Sequence, residues 1–190
     1  MDDRHREMFD GINGRVIDVK TNGWDIGSEQ AAALQMDPDD WCFFMSAWGY
    51  FVMPDWLPKI KSAIEEHGDC LYGTQASGEI NLHIRGSGYC CRAGAFNEYP
   101  HLVSSRAASF RWESGGESFD NLGFTNFHIK RNGAWLVTPS GCHSYGNWLL
   151  IPNGFRSGNQ SNILVWDKHT KIYDESTESE KSDLHQRSYP

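Results

Sequence analysis

YCCRAGAFNEYPHLVSSRAASFRWESGGESFDNLGFTNF, residues 89–127, decides how the chain is read. Gly94, Gly115, Gly116 and Gly123 cut it into pieces too short for ordinary strands, and Gly86 and Gly88 do the same just upstream. Phe96, Tyr99, Phe110, Trp112, Phe119, Phe124 and Phe127 nevertheless carry too much apolar surface to be left in water. Rings that must be buried between glycine breaks imply a core built partly from loops. Loop backbone needs polar partners when buried, and Asn97, Arg106, Ser109 and Asn121 can supply them. Short strands are expected over 107–112 and 124–129.

Working outward, the pattern divides the chain in two. DPDDWCFFMSAWGYFVMP, 37–54, offers Asp37, Asp39 or Asp40 as a cap before a run that is apolar on nearly every side, and predicts a buried helix that Pro54 stops. DWLPKIKSAIEEHG, 55–68, places Trp56, Leu57, Ile60, Ala63 and Ile64 on one helical face and ends in Gly68. From Cys70 the character becomes β-prone. CLYGTQASGEINLHIRG, 70–86, reads as two short strands around an Ala-Ser-Gly turn, and GRVIDVKT, 14–21, as another strand. In FHIKRNGAWLVT, 127–138, Asn132-Gly133 predicts a tight hairpin turn, and NILVWDKHTKIYDE, 162–175, predicts a second hairpin with a longer polar turn. The expected fold class is α+β: helices over about 37–68, a β-rich, loop-rich half over about 70–173, one globular domain over 1–173, and an acidic disordered tail over 174–190.

RAGAF (92–96), SRAASFR (105–111) and DNLGFT (120–125) follow one another in an order and spacing that resembles the C-type-lectin-like domains of the formylglycine-generating-enzyme type. That fold is also used by phage tail proteins and by the variable receptor-binding proteins of diversity-generating elements. The resemblance covers about a third of the chain, with Thr125 where the family pattern ends in Arg and Ala93 where it has Gly. It implies a binding domain, compatible with a viral or phage protein.

The totals exclude several classes. A formal charge of −8 over 190 residues disfavours a broad phosphate-backbone surface, so no nucleic-acid partner is expected. Neither a secretory leader nor a run long and apolar enough to span a bilayer is visible. Five cysteines, Cys42, Cys70, Cys90, Cys91 and Cys142, suit free thiols in a reducing compartment, which places the protein in a cytoplasm, that of a host cell or a virion assembled there if it is viral. Cys90-Cys91 with His83 and His101, or Cys142-His143, lacks metal-ligand spacing, so neither metal nor cofactor is expected.

Two functions from different classes fit these residues. The first is a noncatalytic binding or structural module that recognises a protein or glycan surface through Trp112, Trp135, Trp148 and Arg106, since flat rings with a polar edge suit stacking and anchoring; an oligomer is compatible with it. The second is a cysteine-dependent, papain-like hydrolase. Cys42 near the start of the expected helix would be the nucleophile, His143 in GCHSYGNWLLIPNG its base, with His128 a rival, and Asn153 or Asp167 the orienting group. The competing reading of Cys42, flanked by Trp41, Phe43 and Phe44, is an inert core thiol.

Overall fold

A computed structural model describes residues 17, 19–114 and 123–190. In it Trp41–Met45 is a strand, β1, and not part of a helix. The neighbouring acids explain the difference: an Asp37 carboxylate oxygen accepts the N–H of Asp39 and the Asp37 carbonyl that of Asp40, both at 2.9 Å, which closes a turn instead of capping a helix. Within β1, Cys42 and Phe44 join one apolar cluster while Trp41 and Phe43 pack against another. A strand covered on both faces is apolar all round, and polarity alone does not separate it from a buried helix.

The chain continues through β2 (Tyr50–Phe51), β3 (Leu71–Gly73), β4 (Ala76–Ser77), β5 (His83–Ile84), β6 (Gly88–Arg92), β7 (Ala134–Thr138), β8 (Gly141–Ser144) and β9 (Val165–Trp166). Five of them form a mixed sheet in the order β1–β6–β3–β7–β8, parallel only between β3 and β7. β2 pairs with β9 and β4 with β5 in short antiparallel ladders.

Helices cover both faces of this sheet. On one face Cys42, Phe44, Tyr89, Cys91, Leu71 and Leu136 meet α1 (Trp24–Ala33), α3 (Gly94–Glu98), α4 (Arg106–Ser114) and α5 (Phe124–Arg131). Rings dominate this layer: Phe124 lies 4.7 Å from Trp112 and 4.9 Å from Phe96, and Tyr89 lies 5.3 Å from Trp112. Such pairs add about 0.5–1.5 kcal/mol each beyond the area they bury. On the other face Cys90, Tyr72 and Val137 meet Ile60 and Ala63 of α2 (Trp56–His67). The protein is α+β as composition implies, but its helices are spread along the chain and not gathered before a β-rich half.

Three further expectations change for identifiable reasons. The segments 107–112 and 124–129 are helical: Ala108 and Trp112, like Phe124 and His128, stand four apart and face the same core. Asn132-Gly133 is no hairpin turn. It ends α5, with the N–H groups of both residues donated to the His128 carbonyl (2.8 and 2.7 Å) and Gly133 at φ 112°, since a helix exit uses the same left-handed tolerance as a type I′ turn. The hairpin joins β7 to β8 around Pro139-Ser140 instead. Most of the strand expected over 14–21 lies outside the described residues.

The acidic tail is ordered. Asp167 caps α6 (Lys168–Glu175) and Thr177 caps α7 (Glu178–Ser188), each with a reciprocal capping box. Ser188 is buried, its carbonyl accepts the Gly78 N–H at 2.7 Å, and His185 donates Nδ1–H to the Arg156 carbonyl at 2.7 Å. A Cβ on Gly78 would stand 2.8 Å from Pro190, so the seat fits only glycine. Composition misses this because the anchoring is by backbone hydrogen bonds and not by apolar area. Truncation after Tyr173 leaves the Gly78 amide without its acceptor and uncovers Arg156. It should cost roughly 2–4 kcal/mol, read as a melting temperature lower by several degrees in calorimetry.

Candidate functional site

A cleft of ≈ 500 Å³ opens between α1 and α4 on one side and, on the other, the β4–β6 segment with the β9–α6 junction. Helix α4 presents Arg106, Ser109, Phe110 and Glu113 to it, a spacing that puts all four on one helical face while Trp112 fills the core. The opposite wall comes from the HIRGS run, 83–87. His83, Arg85 and Ser87 line the cleft, while the side chain of Ile84 is buried in the core cluster. Trp24 and Trp48, 60% and 74% exposed, stand at its rim, and the Arg106 guanidinium lies 4.8 Å over the Trp24 ring.

The floor is polar and buried. Asp167 accepts the N–H groups of His169 and Thr170 on Oδ1 (both 2.8 Å), and on Oδ2 the Ser87 hydroxyl and an N–H of Arg85 (3.5 Å). Burial alone would raise its carboxyl, but Arg85, Ser87 and Thr170 together hold it below the ordinary aspartate value. Arg85 also donates Nε–H to Gln75 Oε1 (3.2 Å) and stacks 4.1 Å over the Phe155 ring. Arg156 lies 5.0 Å from the centroid of that ring and donates from Nη1 to Glu79 (3.2 Å). Burial, and after it the charge of Arg85, lowers Arg156 below the usual arginine range.

His83 donates Nδ1–H to the Asn81 carbonyl at 2.6 Å, because a carbonyl can only accept. Burial lowers its pKa, so the ring is neutral at physiological pH and Nε2 is an acceptor. That nitrogen lies 4.0 Å from Oε1 of Glu113, which takes the Gly86 N–H at 3.0 Å. Burial alone would raise Glu113, but Arg85 and the Gly86 amide are among the groups that hold it ionised.

Backbone strain gathers here too. Trp24 (φ 56°), Ile80 (φ 72°) and Arg156 (φ 51°) are non-glycine residues in the left-handed region, and all three line the cleft. A β-branched residue such as Ile80 is rarely found there, and strain of this kind, about 1–3 kcal/mol per residue, concentrates at functional sites.

The residues singled out from sequence fall mostly elsewhere. Cys42 on β1 and His143 on β8 occupy opposite edges of the five-stranded sheet, about 19 Å apart at some 4.8 Å per strand. Cys42 sits on a strand with its thiol against the Met36 sulfur (3.5 Å) and the Asp40 carbonyl (3.8 Å), and burial followed by Asp40 raises its pKa. His143 contacts the Thr138 hydroxyl (3.1 Å), and Asn153 Oδ1 accepts the Asn159 N–H (3.3 Å) within its own loop. His128 is enclosed by Phe124 and Phe127, and burial, then Arg131, pushes it down to about 3. Trp112 and Trp148, each 2% exposed, are core residues, and Trp135 stacks on His67 at 3.6 Å. Arg106 does line the cleft.

RAGAF spans the end of β6 and the start of α3, SRAASFR lies largely in α4, and residues 120–122 of DNLGFT lie outside the described residues. The chain matches no family model, no curated protein and no solved structure. Among the described residues no helix is long and apolar enough to cross a membrane, and no cluster of three or more His, Cys, Asp or Glu side chains is placed to hold a metal ion.

Behind the cleft, Glu29 of α1 accepts the Tyr89 hydroxyl at 2.8 Å on Oε2, while Oε1 is buried with no partner among the described residues. Burial pushes its carboxyl up to about 8 against the opposing Tyr89 bond, and Asp25 and Glu113 add to the rise. The folded state therefore keeps a proton that the unfolded chain, with a value of 4.5, releases. This stability is complete below pH 4.5 and is lost as the pH climbs towards 8. Glu29→Gln should melt at the same temperature as wild type near pH 4.5 and at pH 8 roughly 8–16 °C above it, corresponding to about 4 kcal/mol. Parallel melting curves across that range test the assignment.

Proposed function

We propose that this protein is a binding protein for a small phosphorylated ligand, taken into the cleft between α1, α4 and the Arg85–Asp167 floor. The observation that carries the reading is a surplus of hydrogen-bond donors on buried guanidinium groups. Each guanidinium has five N–H donors. Among the described residues the hydrogen bonds of Arg85 use Nε and Nη2, those of Arg156 use only Nη1, and both side chains line the cleft with Arg106 and Lys168. Four carboxylates, Asp25, Glu79, Glu113 and Asp167, line the same cleft and balance these four cations, so it is the unused forked donors and not net charge that suit an anionic group. Glu79 and Asp167 hold the two buried arginines in place, and forked guanidinium donors match phosphate oxygens. The rings of Trp24, Trp48 and Phe110 supply flat apolar surface for the rest of the ligand. This narrows surface recognition of a protein or glycan to capture of a small molecule. Of the four residues that the sequence suggests for binding, Arg106 keeps that role.

Trp24 and Trp48 give the test its signal. Inorganic phosphate and AMP should each change tryptophan fluorescence and, at about a hundredfold excess over Kd, raise the melting temperature by roughly 5–10 °C. Arg156→Lys, which keeps charge and loses the fork, should weaken both responses about tenfold. No thermal or fluorescence response to either probe up to about 10 mM, weaker than any specific site of this kind, would sink the reading.

A further inference from the structure

Beside Arg85, the cleft carries a pair of facing acceptors with no donor between them among the described residues. The His83 ring is fixed by its Nδ1–H bond to the Asn81 carbonyl (2.6 Å), which leaves Nε2 with a lone pair. Glu113 Oε1 lies 4.0 Å from that nitrogen, beyond hydrogen-bond range, and is held by the Gly86 N–H at 3.0 Å. His83 is 5% exposed, and both residues line the cleft. An ionised pair would be the ordinary reason for a histidine beside a glutamate, but burial of the ring works against protonation, with Arg85 nearby adding to it. Two acceptors at this separation can take two donors side by side. A single hydroxyl has one proton and satisfies one of them, whereas adjacent hydroxyls satisfy both.

We infer that His83 Nε2 and Glu113 Oε1 form a subsite for a vicinal diol, so that the ligand is a phosphorylated sugar bearing two neighbouring hydroxyls, either free or as the ribose of a nucleotide. The inference rests on the phosphate-binding reading above and deepens it. The phosphate is taken by Arg85 and Arg156, the diol by His83 and Glu113, and a base, where there is one, by the aromatic rim. The two recognition elements adjoin, since His83 and Arg85 are two residues apart on the same run and Glu113 faces His83 from α4.

The test uses the full chain and defined probes in competition against AMP, followed by tryptophan fluorescence. AMP should bind about tenfold or more tightly than 2′-deoxy-AMP and than 3′-deoxy-AMP, because either deletion removes one of the two hydrogen bonds donated to the pair. Ribose 5-phosphate should likewise exceed 2-deoxyribose 5-phosphate. The comparison of AMP with ribose 5-phosphate tells whether a base contributes. In Glu113→Gln, whose amide oxygen still accepts the Gly86 N–H, the ratio of hydroxylated to deoxy affinities should fall towards one. Wild-type discrimination needs no variant and remains decisive if Glu113→Gln does not fold. Competition by inorganic phosphate with equal affinity for AMP and both deoxy forms would mean that water bridges His83 and Glu113, and would overturn the diol subsite alone. Failure of inorganic phosphate and every phosphorylated probe to bind would overturn the phosphate reading beneath it.

Discussion

One buried carboxylate holds the cleft together. Asp167 joins two stretches of chain: it caps α6 through the His169 and Thr170 amides, and on the run after β5 it takes the Ser87 hydroxyl and pairs with Arg85. A charge this deep is tolerated only when its lone pairs are satisfied, and removing one partner of such a group typically costs about 3–5 kcal/mol. Arg85 is in turn positioned by Gln75 and supported by Phe155, which also underlies Arg156. The site therefore stands on a network in which each member fixes another, an arrangement that places donors accurately before any ligand arrives.

The sheet imposes the second constraint. The register that sets Cys42 opposite Cys91 and Phe44 opposite Tyr89 sends alternate residues of β1 and β6 into separate helical layers. A one-residue slip would exchange the ring layer under α4 for the smaller layer under α2, so the register is specified by two cores at once. This double burial is also what hides the strand in the sequence. α2, by contrast, is legible from its spacing and its Gly68 stop, because it has one apolar face and one wet one. Tyr89, Phe96, Tyr99, Trp112 and Phe124 belong to the core and Phe127 packs against it, whereas Phe110 is half exposed on the cleft and Phe119 lies outside the described residues; the segments expected as strands are helical because their ring spacing serves a helix packed on a sheet.

Little of the candidate site is legible in the sequence, and two patterns account for that. Arg106, Ser109, Phe110 and Glu113 form a polar stripe visible only once the segment is taken as helix. His83, Arg85 and Ser87 alternate with buried residues, a period-two signal of a chain that turns one polar edge to a cleft and its apolar edge to the core. Cys42, His128, His143, Trp112, Trp135 and Trp148, which draw attention by type, instead belong to the core and the sheet. Residue order suggests Asp167 only as an orienting group for a distant histidine, whereas its position after β9 makes it a helix cap, and the cap places its second oxygen on Arg85 and Ser87.

The seating of α7 on Gly78 and Arg156 has a consequence for how the molecule is made. The cleft wall formed by the β4–β5 hairpin and the Arg156 loop is closed by hydrogen bonds from residues 185 and 188, so no shorter nascent fragment contains the finished site. Contacts of such long sequence separation form late, after the loop-closure entropy of the intervening chain has been overcome. During synthesis the sheet and its helices can collapse first, while the finished cleft must wait for residues 185–188. Closure of the cleft and completion of this fold are thus coupled in time as well as in space.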